Sequence, residues 1–205
     1  MTSAHLLARL KKRDIPAAVL LLGPEAYERR RIKEAFIAVF PEDSLSRHSL
    51  AELSLVQILD DARALSLFAA ERLIWVDNAE AALPRGRSGD DESESAGSAS
   101  DASFLAAYMR DPTPGVALVF EAARFDFEGD DKRKQDRVRK FYSAVPDVIE
   151  LRRFASHEAR AEAESLVRRA GFRMEPDALE LLVEALGADI ARIAEIGKAS
   201  CRERV

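Results

Sequence analysis

The sequence predicts an α/β fold, a parallel sheet flanked by helices, followed by a small three-helix domain. Three observations carry that expectation. Continuous apolar runs at Ala17–Gly23 (AAVLLLG), Arg72–Val76 (RLIWV) and Gly115–Phe120 (GVALVF) read as strands buried on both faces. Segments of helical period lie between those runs, the alternation of a parallel sheet. After Leu151 the pattern changes to three helical segments with no strand among them.

The elements follow in order. Leu6, Leu7 and Leu10 share one helical face, and Lys11, Lys12 and Arg13 follow where positive charge suits the helix dipole. The first strand ends at Gly23. Tyr27, Ile32, Phe36 and Phe40 mark a helix over Glu25–Phe40. Ser46–Leu50 is short and flanked by polar residues, as an edge strand would be. Leu55, Ile58, Leu59 and Ala62 define a helix over Leu53–Ala64. The second strand is RLIWV. Helices are expected at Ser103–Arg110 and Lys132–Ser143, and the turn signal DPTPG introduces GVALVF. Asp147–Leu151 (DVIEL) is a fourth, more mixed strand.

Pro84–Asp101 interrupts the alternation. It holds no aromatic residue and no aliphatic one larger than Ala or Pro. Such a segment buries too little apolar area to offset its ordering entropy, so a disordered acidic loop is expected. Beyond a boundary near Leu151, helices are expected at Ser156–Ala170, Glu175–Leu186 and Asp189–Lys198. Gly171 and Gly187 act as stops, and Pro176 sits in a first turn. The expected domains are therefore 1–151 and 152–198, with 199–205 an irregular or non-native tail.

Composition narrows the function classes. The chain has 205 residues, 47% hydrophobic and 33% charged, with a formal net charge of -5. A surface that held nucleic acid throughout would be basic, so only a local basic patch could serve that purpose. The single thiol, Cys201, excludes an intrachain disulfide, a thiolate zinc site and a CxxC redox motif. The apolar runs are too short to span a bilayer, and the N-terminus lacks a signal-peptide layout. A cytoplasmic protein without membrane contact is the expectation.

The unit LLLGPEAYERRRIKEAF sits where a phosphate-binding loop, GxxxxGK[ST], would lie. Gly23 supplies the first glycine. The second glycine, the lysine and the hydroxyl are replaced by Glu28, Arg29 and Arg30. A carboxylate at the phosphate and no magnesium-binding hydroxyl should defeat nucleotide binding. The end of GVALVF is read as the magnesium-binding strand end. It offers Glu121 and then Ala122, and a lone carboxylate there is ordinarily solvated, as are arginines early on a helix. His5, His48 and His157 have no metal partner spaced on their own helix, no GxSxG occurs, and Cys201 has no nearby histidine. No catalytic, cofactor-binding or metal residues are assigned.

Two further features are singled out. Leu65-Ser66-Leu67-Phe68 places two large apolar side chains next to each other. The pair either closes a helix end by an ordinary hydrophobic contact or forms an exposed wedge for a partner's pocket. DKRKQDRVRK, Asp131–Lys140, has six basic residues and two acidic ones. Its Lys132, Arg133, Lys134 and Arg137 are either a solvated helix face or a DNA contact.

The order of these parts resembles the delta-subunit family of the bacterial DNA polymerase III clamp loader. The matching blocks are LLLGPEAYERRRIKEAF, ARALSLFAAERLIWVDNAE, FLAAYMRDPTPGVALVFEA and the helical stretch EARAEAESLVRRAGFRMEPDALELLVEALGADIARIAEI. They cover most of the chain, and the second is the most specific. The resemblance implies an ATPase-superfamily α/β domain with a degenerate P-loop and a lid-like helical domain. It also implies that Ser66, Leu67 and Phe68 bind the sliding clamp. The implied role is mechanical: a non-catalytic subunit of the polymerase III holoenzyme binds and opens the clamp ring. ATP would be hydrolysed by partner ATPase subunits, beside a delta-prime-like subunit and primed DNA. The family continues into a third, collar domain that is missing before Val205, and EIGKASCRERV departs from its pattern. A C-terminally truncated member is the expectation. A divergent P-loop ATPase and a DNA-binding module are the alternatives. ATP titration would reveal the first, and salt-dependent affinity for primed DNA the second.

Overall fold

The computed structural model describes residues 1–64, 71–83, 93–171, 173–187 and 189–195, with no side-chain description at 42 and 93–100. The α-helices delimited among the described residues are α1 (Ser3–Lys11), α2 (Ala26–Val39), α3 (Leu55–Arg63), α4 (Ser93–Arg110), α5 (Asp131–Phe141), α6 (Ser156–Arg169) and α7 (Pro176–Ala185). The strands are β1 (Ala18–Leu22), β2 (Leu45–Ser49), β3 (Arg72–Asp77), β4 (Val116–Ala122) and β5 (Asp147–Glu150). They form one sheet in the order β2-β3-β4-β1-β5, with every pairing parallel. The expected α/β class is correct.

Two compact units divide the chain. The first comprises Met1–Pro24 with Glu28–Arg152, and the second Glu25–Tyr27 with Arg153–Val205. In the first unit the strand alternation sorts the core. Leu20, Leu22, Ile74, Val76, Leu118 and Phe120 face one side, with Ile58 and Leu59 of α3, Leu105 and Tyr108 of α4 and Val138 of α5. Val19, Leu21, Leu73, Trp75 and Val119 face the other, where Leu6 and Leu10 of α1 and Ile32 and Phe36 of α2 cover them. Both faces are buried, which is why these strands read as unbroken apolar runs.

Local chemistry sets the helix ends. The Thr2 hydroxyl accepts from the His5 amide at the start of α1. Ser54 and Gln57 form a capping box at the start of α3, with the Ser54 amide donating to Gln57 Oε1 at 2.9 Å. Tyr142 is fully buried and donates its hydroxyl to the Ala79 carbonyl at 2.8 Å, fastening the end of α5 to the turn after β3.

The acidic segment departs from expectation. α4 begins at Ser93, so 93–101 is helical where a disordered loop was expected, while 84–92 lies outside the described residues. Extending a helix already anchored by Leu105 and Tyr108 adds one hydrogen bond per residue without a new nucleus. Ser, Ala and Glu tolerate that extension even with no apolar face of their own.

In the second unit, Ala159 and Ala163 of α6, Leu179 and Val183 of α7, and Ile190 and Ile193 form a core together with Tyr27. The Tyr27 hydroxyl donates to Glu162 at 3.0 Å, and Arg169 donates to both of them. Residues 190–195 are helical, and 196–205, including the suspected tail, lie outside the described residues.

Candidate functional site

In a parallel sheet, ligands are taken up beyond the carboxyl ends of the strands, where helix N-termini converge. Here that edge is formed by Gly23 after β1, Glu121 in β4 and Asp77 at the end of β3. Gly23 has φ +123°, a conformation that favours glycine. A Cβ on Gly23 would run into the Leu151 carbonyl oxygen and lie 2.5 Å from Phe127 Cε2. Protein atoms therefore already crowd this turn.

Arg29 stands at the position of the phosphate-binding lysine. Its Nε pairs with Glu121 Oε1 at 3.0 Å, and its Nη1 donates to the Gly23 carbonyl at 3.0 Å. The Arg29 and Glu121 side chains are only 17% and 19% exposed. The other Glu121 oxygen accepts from Trp75 Nε1 at 2.9 Å. Neither Arg29 nor Glu121 is the solvated side chain the sequence suggested. Strand register makes the difference, because β4 lies between β1 and β3 and points Glu121 to the α2 side.

Lys33, one turn further along α2, lies over the Trp75 ring at 4.5 Å. Burial lowers the affinity of its amine for a proton, and repulsion from Arg47 adds to that, while Asp77 and Glu121 oppose it. Glu28, at the second-glycine position, accepts from Ser3 Oγ at 2.5 Å. Glu80 follows in the turn after β3, where burial raises its carboxyl above the usual range. Asp77 and Glu80 were missed in the sequence, although RLIWVD ending in an acid was a readable signal.

These residues do not fit a magnesium nucleotide. The lysine equivalent is held by a carboxylate and a backbone carbonyl. The second glycine is a carboxylate engaged by Ser3, and the hydroxyl position is Arg30. Among the described residues, no group of three or more His, Cys, Asp or Glu side chains is placed to hold a metal ion.

A second polar cluster joins three elements of the first unit. Asp61 on α3 accepts from Arg72 Nη2 at 2.8 Å through one oxygen and meets His48 Nε2 at 2.9 Å through the other. Burial pushes the Asp61 carboxyl up, but hydrogen bonds from Arg72 and His48 outweigh it and leave it below the usual carboxylate range. A depressed carboxyl stabilises the fold above its unfolded value, and that contribution is lost as pH falls through the lower folded value. Asp61→Asn should therefore lower the melting temperature near pH 7, with the gap to the parent closing as pH falls through the lowered folded value of the carboxyl. Paired thermal melts across that range check the sign.

The basic residues of α5 are placed by its buried Gln135 and Val138, which turn Lys132, Arg133 and Arg137 outward. Lys134 is also exposed and pairs with Asp131 at 2.8 Å. Arg139 pairs with Glu150. Ser66, Leu67 and Phe68 lie outside the described residues, between Ala64 at the end of α3 and Glu71 before β3.

The fold is thus of the ATPase-like α/β class, with Arg29 held by Glu121 and the Gly23 carbonyl beside the turn after β1. No protein-family model matches the chain, and no curated protein sequence matches it. Among solved structures, it is similar to the DNA clamp loader delta protein (YqeN) of Bacillus subtilis. The TM-score is 0.66 at 18% identity, over 98% of this chain and 57% of that one. It is also similar to RuvB of Thermotoga maritima, described as a Holliday junction branch migration motor. There the TM-score is 0.50 at 13% identity, over 96% of this chain and 58% of that one. At such identities the likeness is one of fold. The chain spans little more than half the length of either structure. Among the described residues, no helix is long and apolar enough to cross a membrane.

Proposed function

We propose that the chain is a delta-type clamp-loader subunit: a non-catalytic module that binds the sliding clamp through Ser66, Leu67 and Phe68 and helps open the ring. The observation that carries this reading is the Arg29–Glu121 pair, which fills the phosphate position from within in a fold shared with a clamp-loader protein. A subunit that needs no nucleotide of its own can still do mechanical work. It only has to bind one conformation of the ring more tightly than the other. A differential affinity of about 100-fold shifts the open-to-closed ratio by the same factor. ATP hydrolysis then belongs to partner subunits of the loader, within the polymerase III holoenzyme.

The test is direct binding of purified clamp to this chain without nucleotide. Saturable binding supports the proposal, and its absence removes it. Titration with magnesium ATP distinguishes the divergent ATPase, which must bind nucleotide.

DNA contact through α5 is a secondary part of the same reading. The exposed residues of α5 are Lys132, Arg133, Lys134, Arg137, Arg139 and Lys140 together with Asp136, with Lys134 paired to Asp131 and Arg139 to Glu150. Replacing Lys132, Arg133 and Arg137 by Ala should weaken binding of primed DNA evenly across sequences. The salt slope should fall by about one for each phosphate no longer neutralised. Fluorescence anisotropy at several salt concentrations reads both quantities.

A further inference from the structure

Among the described residues, β2 pairs with β3 on one side and with no strand on the other. The residue after it shows which backbone groups face that free edge. The Leu50 amide donates to the Asp77 carbonyl at 3.0 Å. Backbone groups alternate in direction along a strand, so Ser46 and His48 also point at β3, while Leu45, Arg47 and Ser49 point away from it. The following turn agrees, since the Ser49 carbonyl accepts from the Glu52 and Leu53 amides at 3.0 and 2.9 Å. Among the described residues, the N–H and C=O of Leu45 and Arg47 and the N–H of Ser49 have no backbone partner.

Charge marks the same edge. Arg47 is the exposed side chain of β2, the others being half-buried. Its register partner is Trp75, which sets Arg47 on the α2 side of the sheet. Lys33 lies over the Trp75 ring on that face at 4.5 Å. Arg47 and Lys33 repel each other, while Asp77 and Glu121 attract Lys33. Asp43 before the strand and Glu52 after it are exposed, so the positive charge is confined to the middle of the edge.

An unpaired edge is a template for another strand. A second copy of the chain fits it poorly. Antiparallel pairing of two β2 strands centred on residue 47 sets Arg47 opposite Arg47, and like charges directly opposite destabilise a pair. An extended segment with a carboxylate at that place does the reverse and also offsets the repulsion on Lys33.

We infer that the free edge of β2 is a docking site for an extended segment of a partner protein, which adds a strand to the sheet and sets an acidic side chain beside Arg47 and Lys33. Main-chain bonds at Leu45, Arg47 and Ser49 attach the segment, and the carboxylate selects its sequence. The inference is independent of clamp binding.

The test uses the parent chain and a synthetic probe, acetyl-STVTVEVTVTS-amide, which carries a single charge at its central glutamate. Anisotropy of the labelled probe reads binding, and amide exchange followed by NMR reads the edge residue by residue. Saturable binding is expected, with the Leu45, Arg47 and Ser49 amides gaining protection. The Ser46 and His48 amides, which face β3, should change little. A probe with lysine in place of its glutamate should bind about tenfold less tightly, and Arg47→Glu should invert that preference. A probe with proline on both sides of the glutamate cannot complete the ladder and should not bind. Thermal melts of Arg47→Glu should match the parent, because the side chain is exposed.

Equal binding of the proline probe reduces the contact to charge alone and overturns the inference. Indifference to the sign of the probe's charge overturns the acidic partner. Dimers of the free chain in sedimentation, with the same amides protected, overturn it in favour of a second copy. No saturation up to about 1 mM probe overturns the docking site itself.

Discussion

Replacing Leu67 and Phe68 together by Ala is expected to abolish clamp binding at any practical concentration while the fold survives. Anchor residues that fill a partner's pocket contribute about 2–4 kcal/mol each on truncation. Losing even about 4 kcal/mol in total weakens affinity roughly a thousandfold. The same variant separates the two readings that the sequence leaves open. If the pair instead closes the end of α3 by packing inward, truncation removes buried area, and the melting temperature falls by the margin usual for large-to-small core changes. If it is a wedge for a partner, the melting temperature holds and binding goes. Surface plasmon resonance on immobilised clamp, with thermal melts of the same samples, reads both outcomes. A variant that binds like the parent would refute the assignment of Ser66, Leu67 and Phe68.

The sheet was legible because its strands are buried on both faces. A parallel strand covered by helices on either side has no polar alternation, so AVLLL and LIWV announce themselves directly. β2 is an edge strand with intermediate burial, and its sequence LSRHS gave a correspondingly faint signal. The start of α4 was not legible, because helix there extends an anchored turn and leaves no apolar stripe to detect.

Polar pairing was the least legible layer. Arg29 and Glu121 are far apart in the chain and meet only once β4 is set beside β1. The sequence places a carboxylate at the end of an apolar run but cannot say which helix will cover it. The vacancy in the phosphate loop could therefore be read from residue types, whereas the atoms that fill it could not. The same holds for Asp61, where His48, Asp61 and Arg72 come from a strand, a helix and another strand.

Removing Glu121 is the second large effect expected. Glu121→Ala strips the partner from Arg29 and leaves Trp75 Nε1–H without its acceptor. Breaking a buried ion pair from one side costs about 3–5 kcal/mol, because a charge stays behind in a poorly hydrated site. Both side chains here keep some access to water, which reduces the loss to about 2–3 kcal/mol. The melting temperature should drop by roughly 6–10 °C. Glu121→Gln keeps an oxygen for Trp75 and should lose about half as much. The double change Arg29→Met with Glu121→Leu removes both charges at similar volume and should lose less than Glu121→Ala, its remaining cost being the Trp75 Nε1–H left without an acceptor. That ordering is specific to an internal pair. Were Arg29 instead a nucleotide ligand, Arg29→Met would abolish a magnesium-ATP heat measurable in the parent by calorimetry, and Glu121→Ala would alter it. The expected result is no heat in the parent or in any variant, because the Arg29 guanidinium is already held by Glu121 and by the Gly23 carbonyl.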